Sequence, residues 1–111
     1  LGTLPLIAAE RPGNLVHLIL DNEAYESTGG QPSIGSGFDL ARVGEICGYP
    51  KAVRVGDIEE LESALLECAA TPGPHLILVK AGIAPVEGIP RVSHPSTDIR
   101  DRFRNSVQTQ E

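Results

Sequence analysis

The sequence has few aromatic residues and lacks two large side chains altogether. Aromatic residues make up 4% of the 111 positions, and Trp and Met are absent. A core must therefore be built from Leu, Ile, Val and Ala, which supply most of the 41% hydrophobic content. Side chains of this kind suit helices packed closely on a β-sheet. The length fits one domain or part of one.

Positive charge is also scarce. There are 9 Lys and Arg residues against 15 Asp and Glu, which gives a formal net charge of −6. A nucleic-acid-binding protein normally carries a basic stripe, and none is visible, so we expect no nucleic-acid partner. A small anionic ligand is still compatible with this charge, because backbone N–H groups and a metal ion can hold it without Lys or Arg.

Long apolar runs and clustered cysteines are missing as well. No run reaches the roughly 18 apolar residues of a membrane span, and no signal peptide is apparent. Cys47 and Cys68 are far apart and lack the spacing of a zinc site. We expect two buried free thiols in a reducing compartment. The sequence therefore favours a soluble, cytoplasmic protein without a membrane contact.

What is present is an alternation of helices and strands. Helical segments are predicted over 3–10, from the N-cap Asp39 to Gly48, and from the N-cap Asp57 to Pro72. Short apolar runs at 15–20, 52–55 and 75–80 predict strands, and the first is typical of a parallel strand covered on both faces. The predicted buried helix stripes are Leu40, Val43, Ile46 and Cys47, and then Ile58, Leu61, Ala64, Leu65 and Cys68. This order predicts an α/β fold, a parallel sheet sandwiched by helices.

The two ends of the chain differ from this pattern. Residues 83–111 are predicted to form a tail with a terminal helix over 96–107, anchored by Ile99 and Phe103. The chain starts without Met, and its first helix has the composition of the end of a longer one. We therefore expect residues 1–111 to be the C-terminal portion of a larger domain.

Residues 21–37 form a long, polar, Gly-rich segment after the first strand. Long segments of this kind inside compact domains are usually functional or disordered. Ligands of parallel sheets bind beyond the carboxyl ends of the strands, where this segment begins. The Asn22 amide, nearby carbonyls and the hydroxyls of Ser27 and Thr28 are hard oxygen donors that suit Mg²⁺ and phosphate. A solvated loop with Asx turns explains the same composition.

Three stretches carry a resemblance to a known family. They are Asn14-Leu15, residues 20–25 (Leu-Asp-Asn-Glu-Ala-Tyr) and residues 27–32 (Ser-Thr-Gly-Gly-Gln-Pro). Together they resemble the C-terminal, diphosphate-binding domain of thiamine-diphosphate-dependent decarboxylases. More narrowly, they are similar to phosphonopyruvate decarboxylase and the β-type subunit of sulfopyruvate decarboxylase. The resemblance runs from Leu1 to about Gly82.

The resemblance implies a fold, two cofactors and a set of site residues. It implies the thiamine-diphosphate-binding fold, here as a partial domain, with thiamine diphosphate and Mg²⁺ as cofactors. Mg²⁺ would be bound by the side-chain oxygen of Asn22 and the backbone oxygen of Ala24. The residues implied near the cofactor are Asn22, Glu23, Tyr25, Ser27, Thr28 and Gly29.

Other parts of that family's machinery are missing from these residues. The Gly-Asp-Gly motif, whose Asp is a further metal ligand in the family, has no counterpart here. The family's activating glutamate lies on a pyrimidine-binding domain or subunit, and Glu23 does not replace it. The resemblance therefore implies part of a carboxy-lyase, inactive by itself, within a homo- or hetero-oligomer that takes a small 2-oxo acid.

No catalytic residue can be assigned from the sequence. His17 and His75 lie in predicted strands and are expected to be packing residues, while His94 is a candidate for covering an active site. The leading hypothesis is the diphosphate- and Mg²⁺-binding part of a phosphonopyruvate- or sulfopyruvate-type decarboxylase. The alternative is a non-enzymatic α/β binding module that has kept the fold and lost catalysis.

Overall fold

The computed structural model describes residues 1–83, 88–90 and 92–108. Part of the predicted tail, at 84–87, 91 and 109–111, lies outside the described residues. The helices are α1 Thr3–Glu10, α2 Leu40–Cys47, α3 Ile58–Ala70 and α4 Ser96–Gln108; the strands are β1 Val16–Asp21, β2 Ala24–Tyr25, β3 Gln31–Pro32, β4 Lys51–Val55 and β5 His75–Lys80. Among the described helices, none combines the length and apolar character needed to cross a bilayer.

The main sheet has three parallel strands in the order β1-β5-β4. The central strand β5 pairs with β1 from Val16↔His75 to Asp21↔Lys80, and its Leu76, Ile77 and Leu78 are essentially inaccessible to solvent. A strand between two neighbours and under helices on both faces needs such a continuous apolar run. The predicted fold class, a parallel α/β sheet between helices, is confirmed.

Alternate residues of the sheet serve two separate cores. On one face, α1 and α2 pack against Leu76 and Leu78, with Ala8, Ala41 and Tyr49 completing the cluster. On the other face, α3 packs through Ala64 and Cys68 against Val55 and Ile77. The small residues Ala41 and Ala64 let each helix approach the sheet closely, as the composition predicts.

The helix ends confirm the predicted caps. The Asp39 carboxylate accepts hydrogen bonds from the N–H groups of Ala41 and Arg42 at 2.9 and 3.3 Å. Asp57 accepts one from the N–H of Glu60 at 2.8 Å. Gly48 ends α2 with a φ of 101°, which glycine adopts without strain.

Several residues predicted to be buried are exposed. Ile46 of α2 and Ile58 and Leu65 of α3 lie outside the contact stripes. The residues of α2 that pack on the sheet include Leu40, Val43 and Cys47, and those of α3 include Leu61, Ala64 and Cys68. The three exposed residues lie beside these stripes on the helix surface. Ile58 is in the first turn of α3, outside that helix's buried core cluster.

Two further packing predictions are wrong. Strand β1 is not covered on both faces. Its Val16, Leu18 and Leu20 lie on the face where α3 packs against β4 and β5, and they are exposed because, among the described residues, the cluster under α3 contains no residue of β1. The predicted anchors Ile99 and Phe103 of α4 are exposed too, as is every other described residue of that helix.

The histidines and cysteines of the sheet and its covering helices have packing roles. His75 is buried, with Nε2 2.9 Å from the carbonyl oxygen of Thr71. His17 Nδ1 lies 3.1 Å from the Tyr49 hydroxyl. Both cysteines are free; Cys68 is buried, as predicted, whereas Cys47 is only half-buried. Burial raises the pKa of the Cys68 thiol, although the nearby charge of Lys51 opposes this shift.

Candidate functional site

The candidate site lies at the carboxyl end of the sheet, where β1 and β5 finish side by side. Asp21 and Lys80 are paired as the last residues of the two strands. One residue further on, the N–H of Ala81 donates a 3.0 Å hydrogen bond to the carbonyl oxygen of Asp21. The chain then leaves β1 through residues 22–39, which return to the start of α2.

This connecting segment contains a small β-hairpin. Strands β2 and β3 are antiparallel, with Ala24 paired to Pro32 and Tyr25 to Gln31. The N–H of Ser33 donates to the carbonyl oxygen of Glu23 at 2.7 Å. The tight return depends on Gly29 and Gly30, whose φ angles of 114° and 76° are left-handed. The sequence predicted only an irregular loop here, because the strands are too short for any periodicity.

The edge of β2 that faces away from β3 carries two oxygen atoms of the kind that bind metals. The bond between Ser33 and Glu23 flanks the pair Ala24–Pro32, so these two are a non-hydrogen-bonded pair and the N–H and C=O of Ala24 point away from β3. Along that edge the Ala24 N–H donates to Asn22 Oδ1 at 3.2 Å. The two predicted metal ligands, Asn22 Oδ1 and the Ala24 carbonyl oxygen, therefore lie on the same side of the hairpin.

The bond between Ala24 and Asn22 is an Asx turn, as the alternative interpretation of the loop predicts. The two interpretations are compatible, because an amide oxygen has two lone pairs and one stays available after accepting this bond. Within the described residues, no cluster of three or more His, Cys, Asp or Glu side chains could hold a metal. Amide and carbonyl oxygens are hard donors of the kind that Mg²⁺ prefers, so Asn22 Oδ1 and the Ala24 carbonyl oxygen could serve as ligands.

The tip of the hairpin presents the remaining predicted cofactor residues to solvent. Tyr25, Ser27, Thr28 and Gly29 are all exposed. The Thr28 hydroxyl is engaged within the tip, donating to Gln31 Oε1 at 2.9 Å, while Gln31 Nε2 donates to the Thr28 carbonyl at 2.8 Å. In contrast, the Ser27 hydroxyl makes no hydrogen bond to any described residue and is available to a ligand.

An ion-pair network lies beneath the hairpin, between it and the sheet. Lys80 Nζ is 2.7 Å from Asp21 Oδ2 and also contacts the Glu23 carboxylate. Asp21 Oδ1 accepts the Glu23 N–H at 3.0 Å. The Asp21 and Lys80 side chains are 11% and 19% exposed, so they interact where solvent screens them only partly.

Both partners of this network have shifted pKa values. The hydrogen bond from Lys80 lowers the pKa of Asp21, with a smaller opposing effect from burial. Burial acts to lower the pKa of Lys80, but its contacts with Asp21 and Glu23 together raise it. Each group is thereby held in its charged form.

Lys80 is not among the residues that the sequence predicts for the site, and the role of Glu23 stays a prediction. Glu23 is predicted to lie near the cofactor, but its carboxylate contacts Lys80. The sequence does contain a signal for Lys80, because two apolar strands end on charged residues of opposite sign, Asp21 and Lys80. Recognising the pair also requires knowing that β1 and β5 are neighbours in register.

Known decarboxylases match almost the whole chain, although no family model does. The chain is 42% identical over 106 residues to phosphonopyruvate decarboxylase of Streptomyces hygroscopicus, covering 94% of this chain and 26% of that protein. It is 38% identical over 109 residues to the enzyme of the same name from Streptomyces viridochromogenes, covering 98% of this chain and 28% of the relative.

A second group of relatives is named for a different substrate. The chain is 36% identical over 110 residues to sulfopyruvate decarboxylase subunit beta of Methanothermobacter thermautotrophicus, covering 97% of this chain and 55% of that subunit. The chain thus spans about a quarter of the first relatives and just over half of this one. The resemblance noted in the sequence is confirmed: this chain is a homologue of one part of the phosphonopyruvate and sulfopyruvate decarboxylases.

Proposed function

We propose that the chain is the diphosphate- and Mg²⁺-binding part of a thiamine-diphosphate-dependent 2-oxo-acid decarboxylase. The observation that carries this proposal is the free edge of the β2–β3 hairpin, where Asn22 Oδ1 and the Ala24 carbonyl oxygen lie together at the carboxyl end of a parallel sheet. Similarity to parts of two kinds of decarboxylase supports it independently.

Each predicted residue has a role in this proposal. Asn22 and Ala24 bind Mg²⁺ through their oxygens, and phosphate oxygens of the cofactor supply further ligands. The free hydroxyl of Ser27 and the glycine backbone at Gly29 approach the diphosphate, while Thr28 keeps the hairpin tip closed. Glu23 and Tyr25 flank this edge. When bound, thiamine diphosphate supplies the electron sink that decarboxylation of a 2-oxo acid requires.

The names of the relatives support a substrate class, and the resemblance noted in the sequence implies a partner. Their names denote 2-oxo acids with a second anionic group, a phosphonate or a sulfonate, and we propose a substrate of that class. A pyrimidine-binding domain or subunit supplies the rest of the active site, in a homo- or hetero-oligomer. The name subunit beta is in keeping with a separate partner chain. These residues by themselves are then inactive.

A turnover assay tests this function. The full-length protein, with any co-encoded partner, is given thiamine diphosphate, Mg²⁺ and one acid at a time: phosphonopyruvate, sulfopyruvate or pyruvate. We expect CO₂ release that requires both cofactors and favours one of the two dianionic acids. Absence of both turnover and cofactor binding would favour the alternative of a non-enzymatic α/β module.

The metal ligands have a separate test in the Asn22→Ala variant. Losing the amide oxygen removes one Mg²⁺ ligand, so we expect cofactor affinity in the presence of Mg²⁺ to fall at least about tenfold. Titration of the full-length protein with thiamine diphosphate at fixed Mg²⁺ measures this change. Asn14→Ala is the matched control, because Asn14 is an exposed residue before the opposite end of β1. Unchanged affinity in Asn22→Ala would contradict the ligand assignment.

A further inference from the structure

The network beneath the hairpin links the central strand of the sheet to both neighbours of Asn22. We propose that Lys80 is a positioning residue: by holding Asp21 and Glu23 at once, it fixes the turn that places Asn22 and Ala24 for Mg²⁺. This inference rests on the proposed function, since it concerns the same metal edge. Nothing in the resemblance or in the names of the relatives assigns a role to Lys80.

The first observation is that Lys80 contacts the residues on both sides of Asn22. The residue before it, Asp21, is fixed by Lys80 Nζ at 2.7 Å from Oδ2. The residue after it, Glu23, is fixed twice, by its N–H donating to Asp21 Oδ1 at 3.0 Å and by its carboxylate on Lys80. One ammonium group therefore restrains both ends of a three-residue turn whose middle residue is the predicted ligand.

The second support is the backbone of Glu23. Its φ is 57°, in the left-handed region that a residue with a side chain enters only at a cost in free energy. This conformation directs the chain into β2, so that the Ala24 N–H reaches Asn22 Oδ1. A strained turn persists when its surroundings hold it in place, and the contacts of Glu23 with Lys80 and Asp21 provide that restraint.

The third observation is that Lys80 and Asp21 both lie against tightly packed parts of the molecule. Lys80 ends β5, the central strand, whose Leu76 to Leu78 are almost completely buried. On the other side, Gly35 packs directly on the Asp21 carboxylate, leaving no space for a Cβ atom. Asp21 is thus confined between a rigid strand and the turn Ile34–Gly37.

An ordinary surface ion pair would not have these properties. Lys51 and Glu67 form such a pair at the other end of the sheet, where Glu67 is 62% exposed. Exposed pairs of this kind contribute little to structure. Lys51 therefore gives a matched control: the same residue type, paired with a carboxylate, but remote from the hairpin.

A positioning role and a purely electrostatic role of Lys80 predict opposite changes in Mg²⁺ affinity when its charge is removed. Removing the positive charge of Lys80 would by itself strengthen the binding of a nearby cation. Loss of positioning instead weakens it, and removal of residues that orient metal ligands typically costs about 10–100-fold in metal affinity. Lys80→Met, which keeps most of the unbranched side chain and removes the charged ammonium group, therefore gives opposite results under the two accounts.

The experiment uses the full-length protein in two measurements. The first is hydrogen–deuterium exchange of residues 21–33 without metal or cofactor; we expect Lys80→Met to speed exchange there and Lys51→Met to leave it unchanged. The second is the Mg²⁺ concentration that half-saturates thiamine diphosphate binding. We expect Lys80→Met to raise it about tenfold or more, with binding restored at high Mg²⁺.

Each outcome decides one question. Wild-type exchange and wild-type Mg²⁺ dependence in Lys80→Met, or tighter Mg²⁺ binding, would overturn the positioning role while leaving the proposed function intact. If the wild-type protein itself showed no Mg²⁺-dependent cofactor binding, the proposed function would fail instead. Should Lys80→Met not fold, Asp21→Asn carries the same test, since it keeps the oxygen that accepts the Glu23 N–H and removes the charge that Lys80 contacts.

Discussion

At the scale of single residues, Gly35 sets the position of Asp21 by having no side chain. A Cβ atom at this position would lie 2.6 Å from Asp21 Oδ1 and 2.9 Å from Oδ2, well inside van der Waals contact. The carboxylate cannot move away cheaply, because Lys80 and the Glu23 N–H hold it. Gly35 is therefore constrained by contact and not by an unusual φ.

We predict that Gly35→Ala destabilises the protein by about 1–3 kcal/mol, the usual cost of overpacking a tight site. Gly37→Ala is the matched control from the same turn, since nothing lies within 4 Å of a Cβ there. It should be neutral or slightly stabilising, because alanine restricts the unfolded chain. Urea unfolding of the full-length protein measures both variants. Equal stabilities would show that Asp21 can shift freely, against the confinement described above.

At this scale a local motif suggests candidate ligands, but no local motif indicates the residues that support them. Asn22 and Ala24 stand in a recognisable motif, and the structure puts their oxygens on one edge. Lys80 is 58 residues further along the chain, and only the pairing of β1 with β5 brings it to Asp21. The contact depends on how two strands that are distant in sequence pair, and no local sequence pattern indicates that pairing.

At the scale of the elements, helix α2 approaches the sheet through Gly44. A Cβ atom there would lie 3.0 Å from Leu76 Cδ1 and 3.2 Å from Ala52 Cβ. The second contact is with a side chain that has no rotamers to change. The helix therefore runs at the minimum distance from the sheet that its residues allow.

We predict that Gly44→Ala destabilises the protein by about 1 kcal/mol. The gain in helix propensity, about 0.5–1 kcal/mol, is outweighed by an overpacking cost of about 1–3 kcal/mol. Leu76→Val shortens the contacting side chain, so it should be less damaging in the Gly44→Ala background than alone. Thermal and urea unfolding of the single and double variants measure this coupling. Strict additivity would contradict the close contact.

At this scale the longer helices and strands are predictable from the sequence, whereas the shortest strands are not. The apolar runs and Asp caps of α2, α3 and β5 were enough to place them within one or two residues. The two-residue strands β2 and β3 were not predictable, since their pairing depends on left-handed glycines and not on alternation. Ile46 is predicted to be buried but is exposed, because it lies beside the stripe of α2 that carries Leu40, Val43 and Cys47.

At the scale of the whole molecule, apolar surface remains open at one edge of the sheet. Strand β1 is an edge strand, and Val16, Leu18 and Leu20 on its exposed face are 38%, 45% and 69% accessible. The exposed helix α4 adds to the extended outline: the radius of gyration is 17.0 Å, against about 13 Å for a compact chain of this length. The strand pattern predicts cover on both faces of β1, but within the described residues the cluster under α3 includes β4 and β5 and no residue of β1.

An open apolar edge strand is prone to pair with another chain. We predict that residues 1–111, expressed by themselves, self-associate in a concentration-dependent way. The double substitution Leu18→Thr and Leu20→Thr should reduce that association, because threonine keeps the strand conformation and removes apolar area. Sedimentation velocity over a range of concentrations measures the change.

The control for this prediction is Leu66→Gln. Leu66 is 74% exposed, more than any residue of the β1 face, but it lies on α3 and not on an open strand edge. Its replacement should leave self-association unchanged, because a single exposed leucine on a helix offers no unpaired backbone for strand pairing. If Leu66→Gln reduced association as much as the double variant, general surface hydrophobicity would be the cause. A wild-type chain that stayed monomeric throughout would show that the β1 edge does not drive pairing.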